Sequence, residues 1–210
     1  MARGRFITLE GLEGSGKSTQ IGLLKERLAG EGLRVVVTRE PGGTPLAERL
    51  REIVLRAGNE ALSPVSELLV MYAARSVHLD SLVRPALERG DWVLCDRFTD
   101  ATYAYQGAGR GVTDEAIQAL EKIVQRGLRP DLTLLLDIPV DVGLHRAHER
   151  RGAAAADRFE QEGREFFERV RARFLEIARA EPRRVRVIDA QRSVEEVAAA
   201  IAAEVGRAFK

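Results

Sequence analysis

The chain has 210 residues, 45% of them hydrophobic, enough to bury one full core, so a single domain over 1–210 is expected. Its 33 Lys and Arg offset 32 Asp and Glu, which excludes the broad basic field that drives sequence-independent nucleic-acid binding. A single cysteine, Cys95, excludes an intrachain disulfide or a multi-cysteine metal site, and no apolar run is long enough to span a bilayer, so a cytoplasmic protein with no membrane partner is expected.

In chain order, the apolar run 6–9 reads as a buried strand. Directly behind it Gly11, Leu12, Glu13, Gly14, Ser15, Gly16, Lys17 and Ser18 match G-x-x-x-x-G-K-[ST], followed by Thr19. The glycines allow torsions that let successive N–H groups converge on a phosphate at the positive end of the following helix. Lys17 adds a full positive charge, and the Ser18 hydroxyl is a hard oxygen ligand suited to Mg²⁺ carried on a triphosphate.

Beyond this cradle, helices are expected at 17–28, 46–57, 64–89, 113–126, 141–151, 164–180 and 193–209, and further strands at 35–38, 92–95, 132–137 and 185–188. Pro85 is placed to kink or split the third helix, and Gly90 stands where a left-handed residue ends one. Ser193 and Glu196 match a capping box. Strands alternating with helices imply an α/β fold, a three-layer α/β/α arrangement with a five-stranded parallel sheet of the P-loop NTPase type, whose ligands gather at the carboxyl ends of the strands.

A phosphate cradle is shared by kinases, GTPase switches and motors. The second phosphate-directed signal is Asp96-Arg97 at the end of the third strand: the carboxylate suits Mg²⁺ through its water shell, and the guanidinium fork suits a phosphate. The chain carries no Asn/Thr-Lys-x-Asp guanine-reading motif and no Asp-x-x-Gly switch motif, which disfavours a GTPase. Another nucleoside-monophosphate kinase, or a catalytically silent nucleotide sensor, remains as the alternative.

Taken together, the P-loop, Thr38-Arg-Glu-Pro-Gly-Gly-Thr44, Tyr72-Ala-Ala-Arg75, the stretch from Asp96-Arg97-Phe98 to Gln106, Arg129-Pro-Asp-Leu-Thr-Leu134 and Asp157-Arg-Phe-Glu160 resemble the thymidylate kinase family of the bacterial type, over about residues 5–205. The resemblance implies transfer of the γ-phosphoryl of ATP to dTMP with Mg²⁺ as cofactor, and a homodimer formed through packed helices. Position by position, it implies that Lys17 and Ser18 hold the donor phosphates and metal, with Asp96. Glu13 would reach the acceptor 3′-hydroxyl, a plain helix-start carboxylate being the other reading. Arg97 and Arg51 match positions that grip the acceptor phosphate, although Arg51 also reads as part of a solvated helix face. The turn from Arg39 to Gly43 would line the passage between the nucleotides.

The same resemblance assigns Arg75 to the thymine base, Thr102 and Gln106 to its edge, and Tyr105 to the sugar, where a core tyrosine is the alternative. It implies a mobile lid at about 146–160, rich in arginine, from which Arg158 is chosen as the catalytic cation. Two positions depart from the family: Met71 stands where relatives stack an aromatic ring on the base, and Ala101 where they carry serine. His78, His145 and His148 have no role assigned and read as solvated surface.

Overall fold

The structure, a computed structural model, describes residues 4–55, 62–151, 158–159 and 162–209. The Val-, Ile- and Leu-rich runs form five strands, β1 (Phe6–Glu10), β2 (Val35–Arg39), β3 (Trp92–Asp96), β4 (Leu132–Asp137) and β5 (Val185–Asp189). All pair in parallel in the order β2-β3-β1-β4-β5. Between them run α1 (Lys17–Gly30), α2 (Pro45–Leu55), α3 (Pro64–His78), α4 (Arg84–Glu88), α5 (Thr99–Thr102), α6 (Asp114–Gln125), α7 (Val140–Arg151), α8 (Arg164–Ala180) and α9 (Val194–Ala208).

The strands are apolar on both faces because both faces are covered. Successive side chains alternate across the sheet. Ile7 and Leu9 of β1 therefore pack with Ile21, Leu24 and Leu28 of α1 and Val197, Ile201 and Val205 of α9. On the opposite face, Phe6 packs with Leu79, Val83 and Phe98, while Leu135 meets Phe166, Phe167, Val170 and Phe174 along α8. This is the expected three-layer arrangement. Leu94, fully buried in β3, tests the core: Leu94→Ala is expected to lower stability by about 2–5 kcal/mol, read as a lower urea midpoint at an unchanged slope.

The run 64–89 is interrupted, as the position of Pro85 suggests: α3 ends at His78, the chain widens into a π-helical turn over Leu79–Val83, and α4 resumes. Pro85 has no amide hydrogen and its ring crowds the carbonyl four residues back, at Ser81 inside that turn. One local expectation needs correction, an element that was not expected at all, α5 running into a π-helical turn over Tyr103–Gly109. Gly107, Gly109 and Gly111 hide it, because they erase the apolar periodicity that marks a helix.

β2, β3 and β1 are neighbours, and the pairs Arg39↔Asp96 and Leu9↔Asp96 bring their carboxyl ends level. The P-loop, the Arg39-Glu40-Pro41 turn and Asp96-Arg97 therefore share one rim of the sheet, the position where open parallel sheets bind ligands. Of the expected lid, 146–151 is the end of α7, whereas 152–157 and 160 lie outside the described residues.

Candidate active site

Gly11 opens the phosphate cradle with φ 135, and a Cβ built there would lie 2.4 Å from the Leu136 carbonyl oxygen, so only glycine lets the loop leave β1 in this direction. Gly16 caps α1 in a left-handed conformation, with no side-chain cap and no acidic residue in the first turn. The first amides of α1 are thus left for an anion rather than for a capping carboxylate. Lys17 is buried, and its ammonium donates to the carbonyls of Gly11 (3.1 Å) and Leu12 (2.9 Å). Burial, with Arg97 adding to it, pushes its pKa down to about 8. Ser18 and Thr19 are exposed on the first turn.

Asp96 closes β3 with one buried carboxylate oxygen, Oδ1, that has no hydrogen-bond partner. Among the described residues no group of three or more carboxylates, His or Cys converges on a metal site. The unpartnered Asp96 oxygen fits Mg²⁺ carried on nucleotide phosphates, which needs only one or two protein oxygens. Ser18 and Asp96 are the residues that would hold it.

Arg97 ties the cradle to the acceptor side. Its backbone is left-handed, φ 70, a conformation that costs a non-glycine residue about 1–3 kcal/mol and that clusters at functional sites. Its guanidinium donates to the Gly11 carbonyl (2.9 Å) and to Glu13 Oε1 (2.7 Å), and lies 4.7 Å from the centre of the Tyr105 ring. The Tyr105 hydroxyl donates to Glu13 Oε2 at 2.7 Å. Burial works against the Glu13 carboxylate, yet Arg97 and Lys17 hold its pKa below the ordinary value. Glu10, which the sequence reading passed over, supports the turn from beneath by accepting from the Phe98 amide at 2.7 Å. Burial, with Asp100 adding to it, pushes its pKa up to about 8.

Glu13, Arg51, Met71, Arg97, Ala101, Tyr105 and Gln106 line one small cavity together with Glu40, Pro41, Leu55 and Phe159. Most of the expected acceptor residues are therefore brought together. Arg51 donates to the Pro41 carbonyl at 2.9 Å. Gln106 is fully buried, and its Nε2 donates to Glu67 Oε1 at 2.8 Å. A carboxylate only accepts, so this bond orients the amide and leaves Gln106 Oε1 without a protein partner. The cavity volume is about 80 Å³.

Arg75 and Thr102 stand one layer behind this wall. Arg75 is 2% exposed, donating to Glu40 Oε2 (2.7 Å), Thr102 Oγ1 (2.9 Å) and Gln125 Oε1 (3.4 Å), with the rings of Tyr72 and Phe98 each 4.8 Å away. Arg158 is not brought to the P-loop: it ion-pairs with Glu67 Oε2 at 2.7 Å and donates to the Leu62 carbonyl at 3.2 Å. Of the other expected lid arginines, Arg146 donates to the Ala190 carbonyl at 3.0 Å. A larger cavity, about 630 Å³, lies away from the cradle between α6 and α8, where Arg184 pairs with Asp100, Arg173 with Asp114 and Arg129 with Glu181.

Glu67 and His78 had no signal in the sequence beyond being polar residues in a helical run. Glu67 is fully buried. His78 corrects the surface reading, since it too is fully buried, between Glu40 and Thr38; His145 and His148 are exposed as expected.

The thymidylate kinase family model matches residues 9–201. The chain belongs to the thymidylate kinase family. It is 57% identical to the thymidylate kinase of Pseudomonas syringae pv. syringae over 198 residues, covering 94% of this chain and 93% of that one. It is also 57% identical to the thymidylate kinase of Methylococcus capsulatus over 205 residues, covering 98% and 96%. The crystal structure of thymidylate kinase from Ehrlichia chaffeensis superposes with a TM-score of 0.77 at 34% identity, covering 97% of this chain and 99% of that one.

Proposed function

We propose that the chain transfers the γ-phosphoryl group of ATP to dTMP, giving dTDP and ADP. The observation that carries this reading is the reach of Arg97, which touches the P-loop backbone, Glu13 and the face of Tyr105 at once and so spans the donor cradle and the acceptor cavity. Two anions must meet in line, and cations on both sides offset their repulsion. Lys17 and the first amides of α1 bind the donor phosphates. Arg97 and Arg51 bind the acceptor phosphate, whose oxygens are already largely ionised at neutral pH, so no general base is needed. When bound, Mg²⁺ neutralises phosphate charge. Glu13 and Tyr105 take the sugar, and Gln106 Oε1, lacking a protein partner, accepts from thymine N3–H.

Arg158 serves as the further cation for the migrating phosphoryl group, which requires it to exchange Glu67 for phosphate. The working form is a homodimer through α2, α3 and α6, a reading supported by the exposure of Leu46 (50%), Ile53 (49%), Val65 (57%), Leu69 (51%) and Ile123 (69%) on those helices. Among the described residues no helix is long and apolar enough to cross a membrane, and the sole cysteine is buried, in keeping with a cytoplasmic kinase.

ADP release with ATP, Mg²⁺ and a panel of monophosphates tests the reading. dTMP is expected as the best acceptor and UMP and AMP as poor ones. One methyl in an apolar pocket contributes about 1–3 kcal/mol, so dUMP should be used with kcat/KM about 10–200-fold lower. No ADP release with dTMP, or equal rates with AMP, would reject it.

A further inference from the structure

Behind the acceptor cavity lies a buried chain of polar groups that begins at its lining. Glu40, at the carboxyl end of β2, lines the cavity yet is only 4% exposed, and both its oxygens point into α3. Oε2 accepts from Arg75 Nε at 2.7 Å, and Oε1 faces His78 Nδ1 at 2.9 Å. Arg75 and His78 are three residues apart on α3, so they share a helix face and grip one carboxylate between them. On its far side His78 Nε2 meets Thr38 Oγ1 at 2.7 Å. Because a carboxylate only accepts, Nδ1 carries a proton, and the Thr38 hydroxyl, which can donate or accept, fixes the ring from its far side. The same ring abuts the turn that follows Glu40: a Cβ on Gly43, φ 84, would lie 2.8 Å from His78 Nε2 and 2.3 Å from Thr38 Oγ1.

We infer that His78 is a positioning residue of the acceptor site, holding the Glu40 carboxylate so that Glu40 in turn holds Arg75 and the Glu40-Pro41 wall of the cavity. Nothing else bonds Glu40 Oε1 among the hydrogen bonds of the described residues, and a buried carboxylate oxygen stripped of its donor is costly, which would turn the group away from Arg75. His78 does not line the cavity, and its hydrogen bonds among the described residues run to Glu40 and Thr38. Its influence therefore falls on the acceptor and not on ATP. This inference rests on the assignment of that cavity to dTMP.

The test compares His78→Leu, which fills the volume without a donor, with His78→Asn, whose Nδ2 can still donate to Glu40 from the position of Nδ1. In folded His78→Leu the KM for dTMP is expected to rise about tenfold or more, as loss of a hydrogen bond to a charged group implies, while kcat and the KM for ATP stay within about twofold. His78→Asn is expected to recover most of the dTMP affinity. A wild-type KM for dTMP in His78→Leu, parallel losses in dTMP KM, ATP KM and kcat, or an Asn variant as impaired as the Leu variant would each overturn the inference. If His78→Leu fails to fold, His78→Met decides: its flexible thioether side chain likewise has no donor for Glu40, and the same selective rise in dTMP KM is expected; an unchanged KM would overturn it. A wild-type enzyme that ignores dTMP would instead reject the acceptor assignment itself, an outcome separate from these.

Discussion

Lys17→Met is expected to lower phosphoryl transfer at least ~10³-fold, equivalent to about 4 kcal/mol of barrier, while leaving the protein no less stable. The ammonium places a full positive charge inside the cradle, where charge on the migrating phosphoryl develops, and methionine keeps its length and apolar stem without that charge. Stability follows a different course. Burial, then Arg97, sets the Lys17 pKa at about 8 against an ordinary 10.5, so the folded state carries the cost of the charge at neutral pH. A folded pKa below the unfolded one means that the unfolded chain binds more protons between these values, and wild-type stability from this group rises with pH through that window. The melting temperature of Lys17→Met should therefore equal or exceed that of the wild type at pH 7, and the difference should narrow between pH 8 and 10.5. Retained activity would overturn the role of the P-loop lysine; a large fall in melting temperature would show that its bonds to Gly11 and Leu12 matter more for folding than its burial costs.

Arg97→Gly is expected to reduce kcat/KM for dTMP by ~10³-fold, with both a raised KM and a lowered kcat, because in the proposed mechanism one side chain serves acceptor binding and charge neutralisation together. Glycine is chosen over alanine because φ is 70 at this position, and only glycine removes the side chain without penalising the backbone. Arg97→Lys should recover less than about tenfold of that loss. A point charge cannot span the Gly11 carbonyl and Glu13 while covering the Tyr105 ring, as the planar fork does. Steady-state kinetics on the three proteins decide the matter: a glycine variant keeping a tenth of wild-type activity would remove Arg97 from the centre of the site.

Much of this molecule was legible in its residue order. The strands expected at 6–9 and 92–95 are found as Phe6–Glu10 and Trp92–Asp96, and α8 runs Arg164–Ala180 as expected. Runs of β-branched and leucine residues, and apolar periodicity near 3.6, are local signals that a fully covered parallel sheet does not override. The segment Thr99–Gly109 was not legible as a helix, because its glycines and its turn of π geometry break that periodicity while its packing against α8 restores the order. His78 and Glu67 were misjudged or missed for a related reason: a polar residue in a helix reads as solvated until its partner is known.

The sequence by itself determined the phosphate cradle, the order of strands and helices along the chain and the family, since each depends on residues adjacent in the chain or on patterns of fixed short period. Only the tertiary structure decided which charges meet: Glu13 with Arg97 and Tyr105, 84 and 92 residues away, Glu40 with Arg75, 35 residues away, and Arg158 with Glu67 in place of the P-loop. A buried charge persists only where an opposite charge or donor is within hydrogen-bond reach, and that reach is set by how the layers pack on the sheet rim.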